Sequence, residues 1–176
     1  MRVVLWRLGA VELGVYSLAV TLAQGALVPL SYVIPLLFRR WMQRPPMFLP
    51  LVSGILAAGA LCVLAGTVYV LGTCLACGWR LGSYSPITGI LWILLLASAA
   101  DACNQIVAVA ANAAGRPWLS TLAEGSRLAV LAVAVTLVPT QRISDVSWAV
   151  CGAALVAALL IMTLHCVCER RRAHAL

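Results

Sequence analysis

Apolar residues run along the chain in stretches about as long as a bilayer is thick, and most of the charge lies between them. Five runs cover residues 13–38, 51–71, 87–111, 119–138 and 148–167. A helix needs roughly 20 residues to cross the hydrocarbon core, so each run is long enough to span it. The runs are continuous rather than alternating, which predicts helices and excludes the strands of a closed barrel. The first run holds no charged residue and stops at Arg39-Arg40-Trp41, basic and aromatic groups suited to a membrane surface. It also contains Gln24, Pro29 and Pro35. A proline inside a helix lacks the donor and crowds the preceding turn. In a membrane it is tolerated where neighbours or a cavity satisfy the freed carbonyls. The run therefore predicts a kinked span with protein or water on one side, either as a structural kink or as a cavity wall.

The intervals between runs carry turn chemistry. Residues 39–50 are basic and proline-rich, and residues 77–85 form a short polar loop. Pro86 suits the first turn of the third span, where a missing donor costs nothing. Gly115 suits a helix end and Pro117 a new start, and residues 139–147 read as a polar turn. Residues 1–12 read as the last turns of a preceding helix or as an outer segment, with no small-residue cleavage site after them. Residues 13–168 form the bundle, and residues 169–176 a basic tail. Gly54, Ala58, Gly59 and Gly66 on the second run, and Ala149, Ala153 and Ala157 on the fifth, would let helix backbones approach closely.

Composition agrees. Hydrophobic residues make up 64% and charged residues 10% of the chain, with a mean hydropathy of +1.04. A soluble domain of this length needs more surface charge, so the fold class is all-α, a polytopic membrane bundle of about five helices in contact with the lipid bilayer. All 12 basic residues are arginine, and the net charge is +7. No basic face interleaved with aromatic residues carries that charge, which excludes nucleic acid as a partner. Five spans put the termini on opposite sides. With the amino terminus outside, the inner segments hold seven arginines (39, 40, 44, 116, 170, 171, 172) and the outer segments four (2, 7, 80, 142). The excess inside favours that orientation, with a cytoplasmic carboxyl terminus.

Cysteine usage adds little. Cys74-x-x-Cys77 and His165-Cys166-x-Cys168 resemble zinc half-sites, but the expected topology puts them at opposite faces. Cys62, Cys103 and Cys151 fall within spans, where cysteine acts as a small apolar residue. The expectation is no metal and no cofactor.

Ionisable groups within spans are costly and default to a paired or functional role. Asp101, Asn104 and Gln105 share one side of the third span by three- and four-residue spacing. Asp101 lies roughly 16 Å from the turn at Asn112, and Arg127 roughly 13 Å from Trp118 on the next helix, so their depths match. That predicts an ion pair across the hairpin, serving either to tolerate burial or to bind substrate or couple to protons. Thr121-x-x-Glu124 fits a capping box, which would place Glu124 in the first turn of its helix. The only histidines, His165 and His174, lie near the carboxyl end. No serine–histidine–carboxylate set shares a depth and no phosphate-binding glycine loop occurs, so no enzyme activity is expected.

Five stretches in order carry a family resemblance. They are Leu8-Gly9-Ala10-Val11-Glu12-Leu13-Gly14-Val15-Tyr16-Ser17-Leu18-Ala19, Leu36-Leu37-Phe38-Arg39, Gly82-Ser83-Tyr84-Ser85-Pro86-Ile87 leading into residues 91–97, Asn112-Ala113-Ala114-Gly115-Arg116-Pro117, and Trp148-Ala149-Val150-Cys151-Gly152-Ala153-Ala154. Together they resemble the carboxyl-terminal half of the polysaccharide flippases of the multidrug/oligosaccharidyl-lipid/polysaccharide exporter superfamily. Members often place a proline between the phenylalanine and arginine of the second stretch; here Arg39 follows Phe38 directly. The resemblance implies translocation of a lipid-linked oligosaccharide across a bacterial inner membrane by alternating access between two helical halves. In that setting Gln24, Asp101, Asn104, Gln105 and Arg127 are the candidates for substrate binding or coupling. With about five spans, the chain would be the distal half, inactive without an amino-terminal half or another copy. A reading of a different class is a small membrane scaffold for envelope polysaccharide assembly.

Overall fold

A computed structural model describes residues 10–43, 48–76, 87–137 and 142–174. These residues form six helices: α1 (Ala10–Gly25), α2 (Val28–Gln43), α3 (Phe48–Ala76), α4 (Ile87–Ala113), α5 (Trp118–Leu137) and α6 (Ile143–His174). Four stretches are long and apolar enough to cross a membrane: Leu51–Thr73, Gly89–Ala113, Trp118–Thr136 and Ile143–Arg171. The pair α1 and α2 makes a fifth if it counts as one span, bent by 40°. Residues 1–9, 44–47, 77–86 (with Cys77 and Pro86), 138–141 and 175–176 lie outside the described residues.

The bundle is built around α4, which packs against every other described helix. Within the candidate spans, 56% of the α4 residues are buried, against 11% for α5, so α4 is the hub and α5 an edge. Small residues make this possible: Ala97, Ala100, Ala102, Ala110 and Ala111 are all buried, so neighbouring backbones come close. On α6, Ala153, Ala154, Ala157 and Ala158 are buried in the same way. On α3 a Cβ added at Gly66 would collide with Leu95 Cδ2 of α4, so the bare Gly66 lets Leu95 pack against the α3 backbone. Gly54 and Gly59 have open space where a Cβ would sit.

The first span breaks upstream of its prolines. Pro29 cannot donate to Gly25, and the chain turns at Ala26-Leu27 through tight bonds from Ala26 N to Ala23 O (3.2 Å) and Leu27 N to Gln24 O (2.9 Å). Carbonyls at the break find side-chain donors on other helices. Ser98 Oγ of α4 donates to Ala23 O at 3.2 Å, and Cys62 Sγ of α3 to Ala26 O at 3.7 Å. Pro29 sits in the first turn of α2, and Pro35 lies inside α2 without ending it.

The α4–α5 turn is a Schellman motif. Gly115 takes φ +74°, Arg116 N donates to Ala111 O at 2.9 Å, and Gly115 N to Asn112 O at 3.0 Å. At the last turn, residues expected as loop are helical: α6 begins at Ile143, and Asp145 Oδ2 accepts from Arg142 N at 3.0 Å, satisfying a free donor at the helix start. At its other end α6 runs through Arg170 and Arg171 to His174, over the stretch expected to be a tail, because arginine is a good helix former.

An ionic cluster between α4 and α5

Four side chains meet where α4 and α5 touch. Asp101 and Asn104 stand one turn apart on α4, and Glu124 and Arg127 one turn apart on α5. The ion pair expected from their depths forms: Arg127 Nη1 lies 3.0 Å from Asp101 Oδ1, and Nη2 donates to Oδ2 at 3.1 Å. Only the second contact is aligned as a hydrogen bond; Oδ1 is buried and held by charge alone. Arg127 Nη1 is also 3.9 Å from Glu124 Oε2, and Asn104 Nδ2 donates to Glu124 Oε1 at 2.9 Å. Asn104 Oδ1 is buried without a hydrogen-bond partner.

Glu124 therefore does not cap its helix. α5 begins at Trp118, ahead of Thr121, so Glu124 lies in its second turn rather than its first. Within the first turn, Ser120 Oγ donates to Pro117 O at 2.7 Å. Glu124 is the member of the cluster that the capping pattern hid. Its three-residue spacing from Arg127, matching that of Asp101 and Asn104, is the signal that could have found it.

The other candidates lie apart. Gln105 is exposed on α4, and Gln24 is exposed at the break in the first span. Neither joins the cluster. Pro29 and Pro35 belong to α2, which packs on α4 beside the cluster's helices.

The cluster holds two carboxylates against one guanidinium, so it carries a formal charge of −1 with all groups ionised. Side-chain exposure is 20% for Asp101, 29% for Arg127 and 55% for Glu124. Charge thus grades from a half-buried pair to a carboxylate open at the surface of α5. Its members are two carboxylates, a guanidinium and an amide, a set suited to binding and balancing charge.

A second polar group lies near the carboxyl end. Arg116 Nη1 pairs with Glu169 Oε1 at 3.0 Å, which ties the α4–α5 turn to α6. One turn before Glu169, His165 is buried and its Nδ1 has no hydrogen-bond partner. Of the zinc-like pairs, Cys166 and Cys168 are free and partly buried, and the Cys74–Cys77 pair lies outside the described side chains.

No protein-family model, characterised protein or solved structure matches the chain.

Proposed function

We propose that this chain is a membrane-embedded transport bundle, the distal half of a lipid-linked oligosaccharide flippase, with the α4–α5 cluster on the face that meets the opposing half. One observation carries the reading. The cluster is open at the surface of a helix otherwise apolar enough to span a bilayer, and Glu124 is 55% exposed there. A charge facing hydrocarbon at the centre of a span costs about 2.5–3.5 kcal/mol, so this surface calls for an aqueous cavity or a covering partner. The excess of carboxylate over guanidinium suits a group that takes up a proton or cation as the surroundings alternate between open and closed. The broken first span supports the same reading, since discontinuous helices recur where transporters line their binding sites. Localisation follows as the bacterial inner membrane.

The test is complementation of a flippase-deficient strain. The chain alone should not rescue, and the chain with a first-half bundle should. Full rescue by the chain alone would refute the half-transporter reading. Stable expression with no rescue in either case would favour a scaffold. A companion measurement labels a Glu124→Cys variant with a membrane-impermeant maleimide in open membranes. Labelling is expected from a wet cavity, and complete protection would remove the support that exposure lends.

A further inference from the structure

α2 and α3 follow one another in the chain, yet they barely touch; both pack on α4 instead. The space left between them is a groove of about 300 Å³. Pro29, Val33 and Leu37 form one wall, Ala57 and Leu61 the other, and Ile106 of α4 lies in the floor. Its lining is almost wholly apolar, and its walls are exposed while its floor is buried. Near the break in the first span, Ala26 and Cys62 line it, and Cys62 Sγ donates to the Ala26 carbonyl.

The opposite end is basic. Leu37 lies on the wall, and Arg40 follows it by three residues, so Arg40 continues the same row one turn further on. Arg39 stands beside it, and both are exposed in the last turns of α2. Among the described residues, neither arginine has a carboxylate partner. An apolar trough that runs up to two unneutralised guanidiniums matches an amphiphile with a hydrocarbon tail and an anionic head.

We infer that the α2–α3 groove is a binding site for an anionic phospholipid, one acyl chain lying between the helices and the phosphate meeting Arg39 and Arg40. The inference rests on the membrane reading and is independent of transport. Charge selects the headgroup and the groove holds the chain, so both parts are needed for selective retention.

The test uses the full chain purified in detergent. Native mass spectrometry compares retention of phosphatidylglycerol and phosphatidylcholine with identical acyl chains. Phosphatidylglycerol should be favoured about thirtyfold, as two arginines near an anionic lipid surface, each at about 1 kcal/mol, would give. Arg39→Gln with Arg40→Gln should bring it down to the phosphatidylcholine level. Ala57→Trp, which fills the trough and leaves both arginines, should weaken retention of both lipids. Arg170→Gln with Arg171→Gln, on α6, should leave the preference intact. Circular dichroism and elution profile establish that each variant is folded. A preference that survives loss of Arg39 and Arg40 would overturn the inference, as would retention unchanged by Ala57→Trp. Disulfide-linked dimers of an Ala57→Cys variant in membranes would overturn it too, by showing a second copy in the groove. Release of the chain from membranes by alkaline carbonate would sink the membrane reading along with it. Retention in the membrane without lipid preference would sink this inference alone.

Discussion

Arg127 lies between two carboxylates, and the distances rank them. Asp101, at 3.0 Å and hydrogen-bonded, is the principal partner; Glu124, at 3.9 Å and more exposed, is held mainly by Asn104. Removing one member of a largely buried pair strands the other charge, which costs more than removing both. Asp101→Leu or Arg127→Leu alone should destabilise by about 1–3 kcal/mol, less than a fully buried pair because solvent reaches both groups. The double variant should recover a good part of the loss. Thermal stability of the two single variants and the double variant in detergent measures the coupling, and simple additivity would mean that the contact does not matter. Glu124→Gln is the complementary change. It keeps an oxygen for Asn104 Nδ2 and removes the charge, so stability should hold while complementation with a first half is lost. Undiminished complementation would take Glu124 out of the transport reading.

At the level of helices, the broken first span and the α3–α4 contact rest on different residues. The break depends on the missing donor of Pro29 and on side chains from α3 and α4 that serve the carbonyls at the turn. Pro29→Ala restores a donor for Gly25 O and should straighten the pair. Two helices of 16 residues at about 1.5 Å per residue, relaxed from the 40° bend, separate their far ends by about 3 Å more. Pulsed electron paramagnetic resonance between labels at Val11→Cys and Met42→Cys reads that change, and Pro35→Ala should leave the distance alone. An unchanged distance in Pro29→Ala would mean that α3 and α4, not the proline, impose the bend. Ser98→Ala should cost about 0.6–2 kcal/mol, the range for an interhelical hydrogen bond in a membrane. The α3–α4 contact is steric. Gly66→Ala must displace the buried Leu95 and should cost about 1–3 kcal/mol, while Gly59→Ala meets open space and should be neutral. A Leu95→Ala background should remove most of the Gly66→Ala penalty, and equal melting temperatures for the two glycine variants would contradict the close approach.

Across the whole molecule, charge gathers at one end of the bundle. The Arg116–Glu169 pair brings the α4–α5 turn to the end of α6, and α2 runs along α4 toward that same end, carrying Arg39 and Arg40 with it. Arg170 and Arg171 join them there, while Arg142 precedes α6 at the other end. For a chain that spans a membrane, this asymmetry predicts that the arginine-rich end faces the cytoplasm. Single-cysteine variants on intact cells check it. Arg142→Cys should react with an impermeant maleimide, and Gln43→Cys and a lone Cys168 should be protected. The reverse pattern would invert the orientation, and labelling of Gln43→Cys but not Cys168 would break the odd number of spans.

Helical class, the number and rough extent of the apolar runs, the Gly115 turn and the matched depths of Asp101 and Arg127 were all legible in the sequence. Each depends on local rules: run length against bilayer thickness, the backbone freedom of glycine, and a fixed rise per residue. What the sequence could not rank was which helix lies at the centre, because five apolar runs look alike until small residues from several of them are brought face to face. It placed Glu124 in a cap, since Thr121-x-x-Glu124 carries that pattern wherever the helix begins, and only the start of α5 at Trp118 decides between cap and cluster. It grouped Gln105 with Asp101 by spacing, but three- and four-residue neighbours diverge in angle, and only the position of α5 selects Asn104 over Gln105. The groove between α2 and α3 had no local signature at all. It exists because two consecutive helices both pack on a third, and that is a property of the assembled bundle alone.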